Sequence, residues 1–135
     1  MANQKKRALT GLRATGNLHL GNYLGALRPG LELSKSYDCI FFIADLHALT
    51  SNRDAEAILG QTLDQAATWL ALGLDVEKHI LFRQSDVTQV TELMWYLSCV
   101  TNLGLLEKAH AYKDAAAQGL DVNHGVFAYP VLMAA

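Results

Sequence analysis

Proline is scarce in this chain, with two residues in 135, and cysteine and tryptophan are equally sparse at two each. The absence of any Pro-, Gly- or Ser-rich tract excludes a linker-rich or collagen-like polypeptide. Cys39 and Cys99 lie far apart and form no C-x-x-C, which excludes a disulfide scaffold and predicts two buried free thiols in a reducing cytoplasm. Neither charge sign dominates: a net charge of −2 gives no overall attraction to nucleic acid. No apolar run approaches the roughly 20 residues of a membrane span, so no membrane role is expected. Nor does an apolar leader with a small-residue cleavage site open the chain, which argues against secretion. Among the five histidines no pair has the H-x-x-x-H spacing of a helical zinc site, and no metal ligand set is expected. The G-x-S-x-G elbow of serine hydrolases is missing too.

What is present is apolar. Hydrophobic residues make up 51% and charged residues 18%, the balance of one globular domain with a sizeable core. Short apolar runs alternate with longer helical periods, which predicts an α/β fold of parallel strands joined by crossover helices. The first strand is expected at 8–12 and a helix from Leu20, which Pro29-Gly30 bends or ends. "CIFFIAD" (39–45) reads as a strand covered on both faces. The next helix begins at about Asp54, is expected to bury Leu59, Leu63, Ala66 and Leu70, and stops at Gly73. "HILF" (79–82) makes a third strand. Val90, Leu93, Met94, Leu97 and Val100 mark a third helix, and Leu105, Ala109 and Tyr112 a fourth. Pro130 suits the first turn of a last helix, which is expected to be cut short. Every charged residue before Glu32 is basic, and Lys5 to Arg7 read as a solvated tail. The expected organisation is a tail over 1–7 and one incomplete domain over 8–135.

The chemistry concentrates at the first strand–helix junction, "TGLRATGNLHLGN" (10–22). Gly11, Thr15, Gly16 and Asn17 join a strand to a helix start, where unpaired amides and the helix dipole favour an anion. The stretch matches neither G-x-x-x-x-G-K-[ST] nor G-x-G-x-x-G, and a plain capped turn fits it equally well. His19 and Asn22 share one helical face and can both donate to phosphate oxygens. Asp45 and His47 follow the second strand at the carboxyl end of the sheet, where open α/β folds bind ligands. A helix cap with a buried histidine is the competing reading of "DLH".

Five blocks in order, "TGLRATGNLHLGNYLGAL" (10–27), "FFIADLHALT" (41–50), "FRQSDV" (82–87), "LGLLEKAHAYKD" (103–114) and "YPVLMAA" (129–135), resemble the N-terminal half of the catalytic domain in the tryptophanyl-tRNA synthetase family of class I aminoacyl-tRNA synthetases. The resemblance implies a Rossmann-like nucleotide-binding fold with a parallel sheet. His19-Leu20-Gly21-Asn22 stands at the family's "HIGH" element, with Asn in place of the last His. It further implies that Arg13, Ala14, Thr15, Gly21 and Asn22 bind ATP, with Mg²⁺ on the phosphates, and that His19, Asn22 and Lys113 serve the adenylation chemistry. Arg13 stands where some members have glutamine, and a second lysine often found beyond Lys113 is Ala115 here. By the same resemblance Gly11, Asp45, His47, Tyr129 and Met133 bind L-tryptophan. The implied reaction is tryptophan activation and charging of tRNA(Trp), in a cytoplasmic homodimer when full-length, with this chain alone impaired or inactive. "LSKS" (33–36) is similar to the family's mobile lysine loop but stands after the first helix rather than the last strand, so it is read as coincidence. Two rivals stand beside this reading: another nucleotidyltransferase with an H-x-G-[HN] turn, and a non-catalytic binding module derived from a synthetase.

Overall fold

The computed structural model describes residues 5–117, 119 and 122–135. Strands β1 (Arg7–Arg13), β2 (Asp38–Ala44) and β3 (Ile80–Arg83) form a parallel sheet in the order β1-β2-β3. Parallel neighbours require a crossover between them. From β1 the chain passes through α1 (Leu20–Asn22), a π-helical segment (Tyr23–Leu27) and α2 (Arg28–Ser34) before returning as β2. Helices α3 (Asp45–Ala48) and α4 (Ala55–Ala71) then lead to β3. Beyond it come a 3₁₀ turn (Gln84–Asp86), α5 (Gln89–Val100), α6 (Leu103–Leu106), α7 (His110–Ala117) and α8 (His124–Ala134).

The alternation of β2 decides which face is the core. Cys39, Phe41 and Ile43 are no more than 1% exposed, and they meet both crossovers on one side of the sheet. Leu27 from the π-helical segment, Trp69 from α4 and Leu74 close a cluster with Cys39 and Phe41. The Phe41 and Trp69 rings lie 4.7 Å apart. Gly30 lets the first crossover come this close, since a Cβ there would stand 2.8 Å from the Trp69 ring.

The opposite face is not covered as the apolar run of β2 suggests. Leu9 and Ile80 are 65% and 57% exposed. At the carboxyl end of this face Leu132 and Met133 of α8 line a small cavity with Leu9, Phe42 and Phe82.

Several local expectations are corrected. Pro29-Gly30 does not end the first helix: the preceding segment is already π-helical, Pro29 takes the first turn of α2, where its missing N–H is tolerated, and α2 runs to Ser34. The leucine stripe of α4 faces outward, with Leu59 and Leu63 at 50% and 60% exposure, while Ile58, Thr62, Gln65 and Trp69 are buried. Periodicity favoured the more apolar of two neighbouring faces; packing of Ile58 and Trp69 on Ile43 and Phe41 of β2 selects the other. Asp45 opens α3 rather than closing β2, and Arg7 belongs to β1, where it pairs with Asp38 at 3.3 Å. The expected fourth helix is two, α6 and α7. Pro130 lies inside α8 because Asn123 caps that helix from much further back. Cys39 is buried but Cys99 is exposed. Gly73 does stop α4, at φ +94°, a conformation that glycine tolerates and a Cβ resists.

Candidate functional site

Parallel strands deliver their next residues to one edge. Arg13 is in register with Ala44, and Ile43 with Arg83, so the turn after Arg13, Asp45 with His47, and Gln84 with Ser85 emerge side by side at the carboxyl end of the sheet. The sequence-derived residues from the first two segments are thereby brought together.

On the β1 side the hydrogen bonds have one direction. Nδ1 of His19 accepts the Gly21 N–H at 3.0 Å, and Oδ1 of Asn22 accepts the His19 N–H at 3.0 Å, a reciprocal cap on α1. Oγ1 of Thr15 accepts from Nε of Arg13 at 3.3 Å. With Nδ1 accepting, the proton of a neutral His19 sits on Nε2. Asn22 keeps its NH₂ and Thr15 its O–H. No acceptor among the described residues takes these donors or the terminal nitrogens of Arg13. The side chains of Thr15, His19 and Asn22 spend their acceptors inward and keep their donors for a ligand. Gly21 keeps the imidazole in place, since a Cβ there would lie 2.8 Å from the ring. Ala14, at 0% exposure, anchors the turn in a second core cluster with Ile43, Ala48 and Ile58.

Beside this turn the β2 end is mostly tied up. Asp45 accepts at Oδ1 from the N–H groups of Leu46 and Ser85, at 2.9 and 3.0 Å, and at Oδ2 from the Ser85 hydroxyl. The His47 N–H donates to Oε1 of Gln84 at 3.2 Å. The His47 ring stacks on Tyr129 from α8, with centroids 4.7 Å apart and planes 17° from parallel. Burial, with the nearby Arg13 charge as a second cause, holds the His47 pKa below the usual histidine value. Its Nδ1 is buried without a partner among the described residues. Met133, one turn after Tyr129, is 42% exposed and joins the cavity with Leu9, Phe42, Phe82 and Gln84. Gly11 faces that same side: the Phe42 ring lies across it, and a Cβ would fall within 2.4 to 2.6 Å of its atoms.

Lys113 is not joined to this cluster by any hydrogen bond or ion pair among the described residues. It sits exposed on α7, a helix docked to α8 through the edge-to-face pair Tyr112–Phe127 at 5.1 Å. Ser34 and Lys35 of "LSKS" lie at the other end of the sheet with Asp38 and His79, and Lys35 is paired with Glu32 at 2.7 Å. The structure also adds residues that sequence reading did not single out. Gln84 and Ser85 hold His47 and Asp45; their adjacency to a strand end was the available signal. Gln61 and Gln65 of α4 reach the β1 turn, and nothing local in the sequence marks them.

The chain is similar to known proteins along nearly its whole length. A tryptophan–tRNA ligase of Campylobacter jejuni is 49% identical over 129 residues, which covers 96% of this chain and 40% of that protein. The crystal structure of tryptophanyl-tRNA synthetase from Campylobacter jejuni superposes with a TM-score of 0.89 at 47% identity, over 97% of this chain and 41% of the other. The same enzyme complexed with ADP and tryptophan gives a TM-score of 0.88 at 48% identity, over 95% and 40%. The chain thus spans about 40% of the length of these relatives. The family model for class I tRNA synthetases (W and Y) matches residues 1–135, and the chain belongs to that family.

Proposed function

We propose that this chain supplies the ATP side and part of the amino-acid side of a tryptophan–tRNA ligase, which activates L-tryptophan to tryptophanyl-adenylate and then charges tRNA(Trp). The observation that carries the nucleotide half is the directionality of the β1–α1 turn. Thr15, His19 and Asn22 have their acceptor atoms occupied and their donors open, and a polyphosphate is a ligand made of acceptors. Arg13 adds charge to these contacts. Ala14 and Gly21 complete the nucleotide side, and by the family resemblance Lys113, exposed on α7, would serve the phosphates. The tryptophan half rests on Gly11, Asp45, His47, Tyr129 and Met133; a stacked His–Tyr pair and a polarizable methionine suit an aromatic substrate.

The nucleophile in adenylation is the carboxylate of the amino acid itself. Protein groups therefore act by positioning and by stabilising charge on the phosphates. His19, Asn22 and Lys113 would hold the α-phosphoryl oxygens and the leaving pyrophosphate while the carboxylate attacks in line. Mg²⁺ comes with the nucleotide: no group of three or more His, Cys, Asp or Glu side chains that could hold a metal ion is present among the described residues, so phosphate and water would be its ligands.

We read residues 8–135 as the first half of a Rossmann-like catalytic domain that works as a homodimer in the cytoplasm. Trp95, Tyr96, Val100, Leu103 and Leu105, all at 60% exposure or more on α5 and α6, support pairing through that surface. Among the described residues no helix is long and apolar enough to cross a membrane.

The test compares this chain with the full-length Campylobacter jejuni ligase. Calorimetry should detect ATP binding that His19→Ala removes, and saturation-transfer NMR should detect L-tryptophan in preference to L-tyrosine. Tryptophan-dependent ATP–pyrophosphate exchange should fall several powers of ten below the relative, since each charge-stabilising group is worth about 10²-fold or more. Preference for tyrosine, or no nucleotide binding at all, overturns the reading.

A further inference from the structure

We infer that Gln61 and Gln65, one turn apart on α4, are positioning residues that lock the nucleotide-binding turn after β1; the inference rests on the proposed ATP role of that turn. Gln65 is 1% exposed in the middle of a helix. From there its Nε2 donates to the Arg13 carbonyl at 2.7 Å, across 52 residues of sequence. Gln61, with its carboxamide turned as its neighbours require, donates to the Ala14 carbonyl at 3.0 Å and accepts the Gly16 N–H at 3.3 Å. The Thr15 N–H also donates to the Arg13 carbonyl, at 2.9 Å. Two side chains of one helix thus hold three backbone groups over four consecutive residues.

The burial of Gln65 has no packing rationale. Its Oε1 finds no donor among the described residues, an arrangement that an apolar side chain of similar size would avoid. What glutamine provides there and leucine cannot is the bond to Arg13. That bond accounts for Gln65 on the buried side of α4, alongside the apolar Ile58 and Trp69.

The lock also selects the donors that meet the ligand. The amides of Thr15 and Gly16 are both spent, on the Arg13 carbonyl and on Gln61. Gly16 is held at φ +62°, a left-handed turn that reverses the chain toward α1. Between Arg13 and Gly16, ahead of the His19 and Asn22 donors, anion binding therefore falls to the Arg13 guanidinium and the Thr15 hydroxyl. Their positions depend on a backbone that α4 fixes. A shift of α4 would move the phosphate contacts.

The experiment uses Gln65→Met and Gln61→Met, singly and together, with Gln61→Glu as the variant that keeps the acceptor for Gly16. Thermal melting of Gln65→Met should stay level or rise, because the unpaired Oε1 is removed. Affinity for ATP, by calorimetry, should fall roughly tenfold in each single variant, with L-tryptophan affinity unchanged. Amide exchange at Gly16 should accelerate in Gln61→Met and recover in Gln61→Glu. Folded variants with parental ATP affinity and a protected Gly16 amide overturn the inference. If the parent chain binds no ATP, the reading beneath it fails instead, and Gly16 exchange alone then decides whether the lock exists.

Discussion

The imidazole of His47 lies flat on the phenol of Tyr129, 4.7 Å between centroids, at the seam where the end of β2 meets α8. Ring-on-ring burial disfavours an imidazolium, and Arg13 adds like charge, so the histidine is neutral in the folded chain at a pH where the unfolded chain begins to bind a proton. The sign follows. Above the ordinary histidine value both states are neutral and stability is independent of this group. As the pH falls through that value the unfolded state takes up a proton first, and stability declines until the lowered folded pKa is reached. Urea denaturation between pH 7.5 and 5 should show the decline, and His47→Gln should flatten it. An equal slope in both chains would remove His47 as the cause.

The cap at the start of α1 separates two tasks within one side chain. Asn22→Asp keeps an oxygen for the His19 N–H and places a carboxylate at the positive end of a helix, so the melting temperature should not fall. The same change deletes the outward NH₂ and sets a negative charge before the phosphates. ATP affinity should drop by at least tenfold, the value of one charge-assisted hydrogen bond. Calorimetry on the folded variant decides: unchanged affinity would leave Asn22 a cap and nothing more.

Asp45 is satisfied from three directions by Leu46 and Ser85, which ties the end of β2 to the turn after β3. Ser85→Ala should lower stability by about 1–2 kcal/mol, the loss of one hydrogen bond to a carboxylate. Asp45→Asn should cost less, since its oxygen keeps both N–H groups and its NH₂ can donate to the Ser85 hydroxyl, with only the charge lost. Chemical denaturation with an unchanged m-value would confirm the loss as local. No loss in either variant would mean that this junction is held by packing alone.

How much of this was legible in the sequence depends on how local the cause is. The strands, the start at Leu20, the helix start near Asp54 and the Gly73 stop follow from neighbours a few residues apart, and reading them needed nothing else. The blocks around His19, Asp45 and Tyr129 pointed to one edge of the sheet, and the structure sets His47 against Tyr129 there. What escaped depends on distant partners. The buried face of α4 is set by Ile43 and Phe41 of β2, against which Ile58 and Trp69 pack, and by the Arg13 carbonyl 52 residues away, which takes Gln65, whereas helical periodicity pointed to the leucines. Pro29 looked like a stop because the π-helical segment that accommodates it has no local signature. Gln84 and Ser85 acquire meaning only when β3 is laid beside β2.

Two glycines of the first crossover should respond oppositely to the same methyl group. At Gly30 a Cβ would stand 2.8 Å from the Trp69 ring and 3.1 Å from Phe41, both in the closed core, whereas at Gly25 no atom of the described residues lies within 4 Å. Gly30→Ala must push the crossover off the sheet or turn Trp69 from its place, and such overpacking costs about 1–3 kcal/mol. Gly25→Ala relieves the conformational freedom of glycine in a helix and should gain about 0.5–1 kcal/mol. Urea midpoints measure both changes on one scale. If Gly30→Ala were as stable as the parent, the close approach of α2 to Trp69 and Phe41 would be wrong, and with it the packing that seats the first crossover beneath the nucleotide turn.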